Sequence, residues 1–320
     1  MDNYKNFNHI KIHTQYSICE GALKINELAE FCKKNKIKGA GLSDTSNLCG
    51  ALEFSENLSK SGTQPIIGTQ INFKFKDIIG LLPLIATSEK GYQNIIEFSS
   101  NSYLKNNDKD EPHCNFNDVL STVNDIIILS GTINGLIGKL FVKGRIEEIE
   151  EIYSNLKKKF KNNFYIEIQR HGDENEKTFE QFNLNLSKKL DIPIIATNEV
   201  FYISKDMHDA HDALICIGNK TYLNEKNRVK YSNNHYLKSD NEMEKIFSDL
   251  PEALENNYNL IYKCNFKPSF SKPVLPNISS DKGGNADENL IEDSNLGLKE
   301  KFLKIFKIDE NNLFQNQEFK

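Results

Sequence analysis

No two of the six cysteines (Cys19, Cys32, Cys49, Cys114, Cys216 and Cys264) form a Cys-x-x-Cys pair, so a zinc ribbon is not indicated. A disulfide framework is a device of small secreted domains, and a chain of 320 residues does not need one. The stretch Met1-Asp2-Asn3-Tyr4-Lys5 has no apolar core of the kind that a secretory signal carries. No apolar run approaches the length of a membrane span. A basic excess is missing too: 40 Lys and Arg stand against 45 Asp and Glu, a net charge of −5. Tight nucleic-acid binders usually show a basic stripe or surplus, so strong unaided DNA binding by this segment is not expected. Together these absences point to a cytoplasmic protein that does not contact membranes.

What is present is an alternation of apolar segments. Apolar residues make up 38% of the chain, and their Ile, Leu and Phe clusters are enough for a core. Period-2 or continuous apolar runs predict strands near residues 10, 40, 68, 84, 128, 166 and 195. Helical spacing predicts helices over 24–36, 50–61, 91–104, 144–160, 174–190 and 205–217, with shorter ones at 241–247 and 253–263. Such β-α alternation argues for a parallel sheet with right-handed crossovers, and seven units suit a closed barrel better than an open sheet. Near Pro268 the character changes. Pro273, Pro276, Ser279-Ser280 and Gly283-Gly284 mark a linker, and 290–306 reads as one amphipathic helix. The expected division is a barrel over 1–270, then a linker and the start of a following region over 271–320.

Sites in parallel α/β folds gather at the C-terminal ends of strands. There this sequence offers His13, Glu20, Asp44, Gln70, His171 and Glu199. Imidazoles and carboxylates converging on divalent ions are the chemistry of metal phosphoesterases. Other features read more simply. His208 and His211, three apart, suit a solvated or capped helix start. His113-Cys114 reads as surface loop, and Ser17 near Cys19 as a turn. Gly131-Thr132-Ile133-Asn134-Gly135 is too sparse for a phosphate loop.

Six stretches in order carry a resemblance: His9-Ile10-Lys11-Ile12-His13-Thr14-Gln15-Tyr16-Ser17, Ser43 to Gly50, Pro65 to Gly68, Gly91 to Asn94, Ile166 to Gly172 and Ala196 to Tyr202. They resemble the polymerase-and-histidinol-phosphatase (PHP) domain, in the version found at the N-terminus of bacterial DNA polymerase III alpha subunits. The resemblance implies an α/β fold, a PHP-type distorted seven-unit β/α barrel (TIM-like), followed by a linker and one helix of a next domain. It also implies a degenerate metal site. Where intact members carry His-x-His, this chain has Lys11-x-His13. Their Asp-His appears as Asp44-Thr45, their Glu as Gln70, and their final His as Phe201 after Glu199. Glu20 and His171 match family ligands less directly. Losing one ligand costs roughly 10–100-fold in affinity, so four changes imply no bound metal and no catalytic residue in this chain. Lys11 is expected to pair with Asp44 or Glu199. The alternative is a metal-dependent phosphoesterase or proofreading nuclease on His13, Glu20, Asp44, His171 and Glu199, with zinc or manganese. The family's polymerase carboxylates, which use magnesium, lie in a palm domain beyond the PHP domain, and no such acidic triad precedes Lys320. The implied role is a scaffold within the polymerase III core that can dock the proofreading exonuclease subunit, in a chain that is truncated or partial.

Overall fold

The computed structural model describes residues 6–106, 111–122, 125–273 and 285–306. The stretch 1–5, residues 107–110, and the linker signals Pro276, Ser279-Ser280 and Gly283-Gly284 lie outside the described residues. Two compact units divide at Ser269 and Phe270.

The first unit opens with β1 (His9–Ile12), α1 (Ile25–Asn35), β2 (Gly39–Thr45), α2 (Ala51–Ser61), β3 (Gln64–Phe75) and β4 (Ile78–Ala86). Next come α3 (Glu89–Leu104), β5 (Cys114–Asn115), α4 (Phe116–Ser121), β6 (Ile126–Leu129), α5 (Leu136–Val142) and α6 (Ile146–Phe160). It closes with β7 (Phe164–Ile168), α7 (Glu176–Leu190), β8 (Ile194–Ala196), β9 (Glu199–Val200), α8 (His208–Asn219), α9 (Asp240–Ile246) and α10 (Pro251–Leu260). Side chains at the helix starts take up the unpaired amides there. Ser88 accepts from Gly91 N, and Ser239 forms a capping box with Glu242. The second unit contributes one described helix, α11 (Ala286–Phe306).

The strands join in the order β8-β7-β6-β4-β3-β2-β1-β9, with β5 paired beside β3. The first and last in that order, β8 and β9, are separated by only Thr197 and Asn198 in the chain. The sheet therefore returns on itself as a distorted barrel. Asn257 of α10 ties the seam: its amide donates to the carbonyls of Asn8, at 2.9 Å, and Ala196, at 3.0 Å.

All seven expected strand regions are strands, but the sheet is not wholly parallel. Lys76 takes a left-handed conformation (φ 54°) in a two-residue turn between Phe75 and Ile78. β4 consequently runs antiparallel to both β3 and β6. No helix intervenes, because a hairpin needs no crossover. The short helices α4 and α5 were not expected. With six and seven residues they offer less than two turns of periodicity.

Alternation along each strand separates an inner from an outer face. Ile10, Ile66, Ile85, Ile127, Leu129, Tyr165 and Ile195 form one apolar cluster with Leu260, Ile261 and Cys264 at its base. Ile67 and Ile166 belong to different clusters, beneath the surrounding helices. Gly68, on the same face as Ile66, has no space for a side chain, since a Cβ there would come within 2.5 Å of the Leu84 carbonyl. Two residues further along β3 and β7 the inner face turns polar, at Gln70 and Glu167.

Candidate functional site

β1, β7 and β9 each place one charged side chain inside the barrel, and the three meet. Lys11 Nζ lies 3.2 Å from Glu167 Oε1 and 3.2 Å from Glu199 Oε1, with the lysine side chain fully buried. Burial works against its charge, yet Glu167 and Glu199 outweigh it and raise the pKa above the ordinary lysine value. Glu199 Oε1 also meets His13 Nε2 at 3.1 Å and accepts from the Gln70 amide at 2.7 Å. Burial alone would protonate Glu199, but Lys11, His13 and Gln70 hold it well below the usual carboxylate range.

The chain of charges continues outward. His13 Nδ1 lies 3.5 Å from Glu20 Oε2. Burial disfavours the imidazolium, but Glu20 and Glu199 more than offset this and raise His13 to about 9. The Thr45 hydroxyl donates to Glu20 at 2.5 Å. The Phe201 ring packs on His13 with centroids 4.5 Å apart. Carboxylates and cations thus alternate from Glu167 through Lys11, Glu199 and His13 to Glu20.

Of the two partners expected for Lys11, Glu199 is the one it meets, and Asp44 stands outside this chain. It accepts from Thr14 N at 2.6 Å, from the Thr14 hydroxyl at 2.8 Å and from the Ser17 hydroxyl at 2.8 Å. Burial raises its pKa, and those donors resist the rise. Ser17 is therefore part of a turn that fastens β1 to β2.

Beside the chain of charges lies a second group. His171, Asp173 and His235 are the one set of three or more His, Cys, Asp or Glu among the described residues in which one donor atom from each comes within 4.8 Å of all the others. The two imidazoles stack at 4.0 Å, only 5° from parallel. His171 Nε2 accepts from Glu199 N at 3.2 Å, and its Nδ1 faces Glu176 Oε1 at 3.2 Å. His235 faces the Glu199 carbonyl at 3.1 Å and Asp173 Oδ2 at 3.1 Å. Burial, with the charges of His235 and Lys238 behind it, pushes His171 well below the ordinary histidine value. The buried Lys238 amine donates to Asn198 Oδ1 at 2.8 Å, and burial lowers it to about 8.

Of the expected site residues, the structure brings Lys11, His13, Glu20, Thr45, Gln70, Glu199 and Phe201 into one cluster. Asp44 stands beside it and His171 heads the neighbouring group. Glu167, Asp173 and His235 were missed. Glu167 had a readable signal: it is a lone acid on the buried face of an apolar strand, as Lys11 is a lone base. Asp173 and His235 are far apart in sequence and had none. His211 is not solvated; it is buried, bonds the Glu20 carbonyl at 2.8 Å and stacks on Phe201. His113 and Cys114 are likewise buried, with Cys114 in β5.

The donor set disagrees with a divalent ion at the centre. An ammonium stands between the two inner carboxylates, and a hard cation prefers anionic oxygen. Gln70 also fits this role: a glutamate in its place would set a second carboxylate against Glu199 Oε1. In the neighbouring group the ring nitrogens of His171 and His235 are engaged with Glu176, Glu199 and Asp173, while one donor atom from each of His171, Asp173 and His235 lies within 4.8 Å of the others.

A barrel of this topology with His, Asp and Glu at the strand ends defines a class, and comparison supplies its name. The family model described as the PHP domain matches residues 9–171, more than half of the chain, and the chain belongs to that family. Over nearly its whole length it is homologous to DNA polymerase III alpha subunits. The protein from Rickettsia conorii is 36% identical over 316 residues, 98% of this chain and 26% of that protein. The one from Caulobacter vibrioides is 33% identical over 306 residues, 92% of this chain and 26% of that protein. The chain thus spans about a quarter of the length of these relatives. Among solved structures, a putative metal-dependent phosphoesterase from Bifidobacterium adolescentis aligns at a TM-score of 0.41 and 11% identity, covering 60% of this chain and 86% of that one. That likeness is too distant to add to the assignment. No helix among the described residues is long and apolar enough to cross a membrane.

Proposed function

We propose that the chain serves as the N-terminal PHP region of a DNA polymerase III alpha subunit, and acts there as a scaffold and docking domain without hydrolytic activity of its own. The observation that carries this reading is Lys11 Nζ, 3.2 Å from both Glu167 and Glu199. A tethered cation supplies in the barrel the charge that a metal would bring, and leaves no room to polarise a phosphate or a water. Its partners on this reading are the rest of the polymerase III core and a proofreading exonuclease subunit, in the cytoplasm. The region after Ser269 leads toward the palm, where magnesium and the polymerase carboxylates belong.

Elemental analysis of protein purified without chelator tests this. Substoichiometric zinc and manganese, with no phosphodiester hydrolysis when either ion is added, is the expected result. Stoichiometric metal, lost in a His13→Ala, Asp44→Ala double variant, would overturn it. The second reading, a metal phosphoesterase on a reduced ligand set, draws on the His171, Asp173 and His235 group. It requires metal to follow those residues and hydrolysis to follow the metal.

A further inference from the structure

Above Glu20 the barrel mouth opens into a cleft of about 560 Å³ that the chain of buried charges leaves unused. Two carboxylates line it, Glu20 and Glu111, and no lysine, arginine or histidine is among the described residues lining it. Glu20 Oε2 is held by His13 Nδ1 at 3.5 Å and by the Thr45 hydroxyl at 2.5 Å. Glu111 accepts from the Asn72 amide at 3.0 Å and is otherwise open to solvent. The rings of Tyr103 and Tyr231 line the same cleft. At its rim Ile18 is 84% exposed, Val229 51% and Tyr103 56%. Large apolar side chains so exposed around one concavity mark a contact surface.

A phosphate group does not suit this cleft. Its two described charged residues are carboxylates, no cation is among the described residues lining it, and Lys11 and His13 are already spent on buried carboxylates. A guanidinium or ammonium suits it well, because carboxylates and tyrosine faces both attract cations. The apolar rim would pack against whatever flanks that cation. We infer that the cleft receives a lysine or arginine side chain of a partner polypeptide, with large apolar residues beside that side chain resting on Ile18, Tyr103 and Val229. The inference rests on the docking reading above and specifies its chemistry: a basic anchor in an acidic, aromatic socket within an apolar rim.

A displayed library of random 12-residue peptides, selected on the immobilised chain, tests it. The expected winners carry one Lys or Arg flanked by large apolar residues. Their affinity should fall with added salt and drop at least about tenfold (roughly 1.4 kcal/mol) in Glu111→Lys and in Ile18→Asp. Both positions are exposed, so urea midpoints matching the parent chain will show that the variants fold. Replacing the basic residue of a winning peptide by glutamate should weaken binding to the parent and restore binding to Glu111→Lys. No enrichment, winners without a basic residue, or binding indifferent to both substitutions would overturn the inference. Elemental analysis keeps the two readings separate. A chain that holds stoichiometric metal and still takes basic peptides loses the metal-free reading alone. A metal-free chain that ignores them loses the socket alone.

Discussion

The two groups beneath the barrel mouth answer the same problem of buried polarity in opposite ways. Around Lys11 charge dominates: carboxylates and cations alternate at 3.1–3.5 Å, and Lys11, Glu199 and His13 are held in their charged forms by their neighbours. Around His171 the pressure runs the other way. Burial and the adjacent positive groups strip the proton, and the ring lies flat against His235. A few residues thus decide whether buried titratable groups become an ion-pair network or an aromatic stack. The deciding choice is the amine of Lys11, which holds the charge of Glu199; Glu20 and Glu199 together then hold that of His13.

The largest way to break this contrast is to remove that amine. Lys11→Met leaves two buried carboxylates without their cation and should cost about 3–5 kcal/mol, read from urea denaturation midpoints. Adding Glu167→Gln should recover part of the loss, because removing both partners relieves the unpaired charge. An unchanged midpoint in the single variant would show that Lys11 does not hold the network.

Next in size is the response to alkali. His13 is raised from an ordinary 6.5 to about 9. Its stabilisation is therefore fully present below pH 6.5 and is lost as pH rises through 9, on the order of 3 kcal/mol. Lys238 acts in the opposite sense. Burial lowers it from 10.5 to about 8, so its charge costs stability below 8 and folding gains as pH climbs from 8 to 10.5. Midpoints should fall between pH 6.5 and 9 and then level or recover. His13→Gln should abolish the fall, and a fall that persists would assign it to another group.

A smaller effect is expected on the stacked side. His235→Phe keeps a ring against His171 but deletes the contacts to Asp173 and to the Glu199 carbonyl, a loss of about 1 kcal/mol for each. A loss as large as that from Lys11→Met would mean that the stack, too, is held by charge. The smallest effect is that of manganese on the unaltered chain, where no shift in thermal midpoint is expected. The same addition to Lys11→Ala should raise the midpoint, since Glu167, Glu199 and His13 then face a space without a cation. Equal responses from both proteins would contradict the idea that the ammonium occupies the ion's place.

Much of this architecture could be read from the residues. The strands near 10, 40, 68, 84, 128, 166 and 195 were visible because each is a run of apolar residues long enough to stand out. His13, Gln70 and Glu199 were visible because polar groups at strand ends have few structural uses, and Lys11 because it stands where the resembled family carries the first histidine of His-x-His. The reversal of β4 was hidden in Lys76-Asp77, a turn lacking the glycine or asparagine that usually announces a tight hairpin. Of the two partners expected for Lys11, Glu199 meets it and Asp44 does not; the second partner, Glu167, was missed because only the closed barrel brings β7 beside β1. Asp173 and His235 meet only through the fold, and no local pattern records that.

The shared oxygen of Glu199 has a historical consequence. Lys11, His13 and Gln70 all lean on that one atom. Restoring an acid at position 70 while Lys11 remains would crowd it with a second anion. Removing Lys11 first would strand two carboxylates. Each single exchange passes through a less stable protein, so on the proposed metal-free reading Lys11 and Gln70 behave as a ratchet: neither can be replaced alone by an acid or an apolar residue without cost.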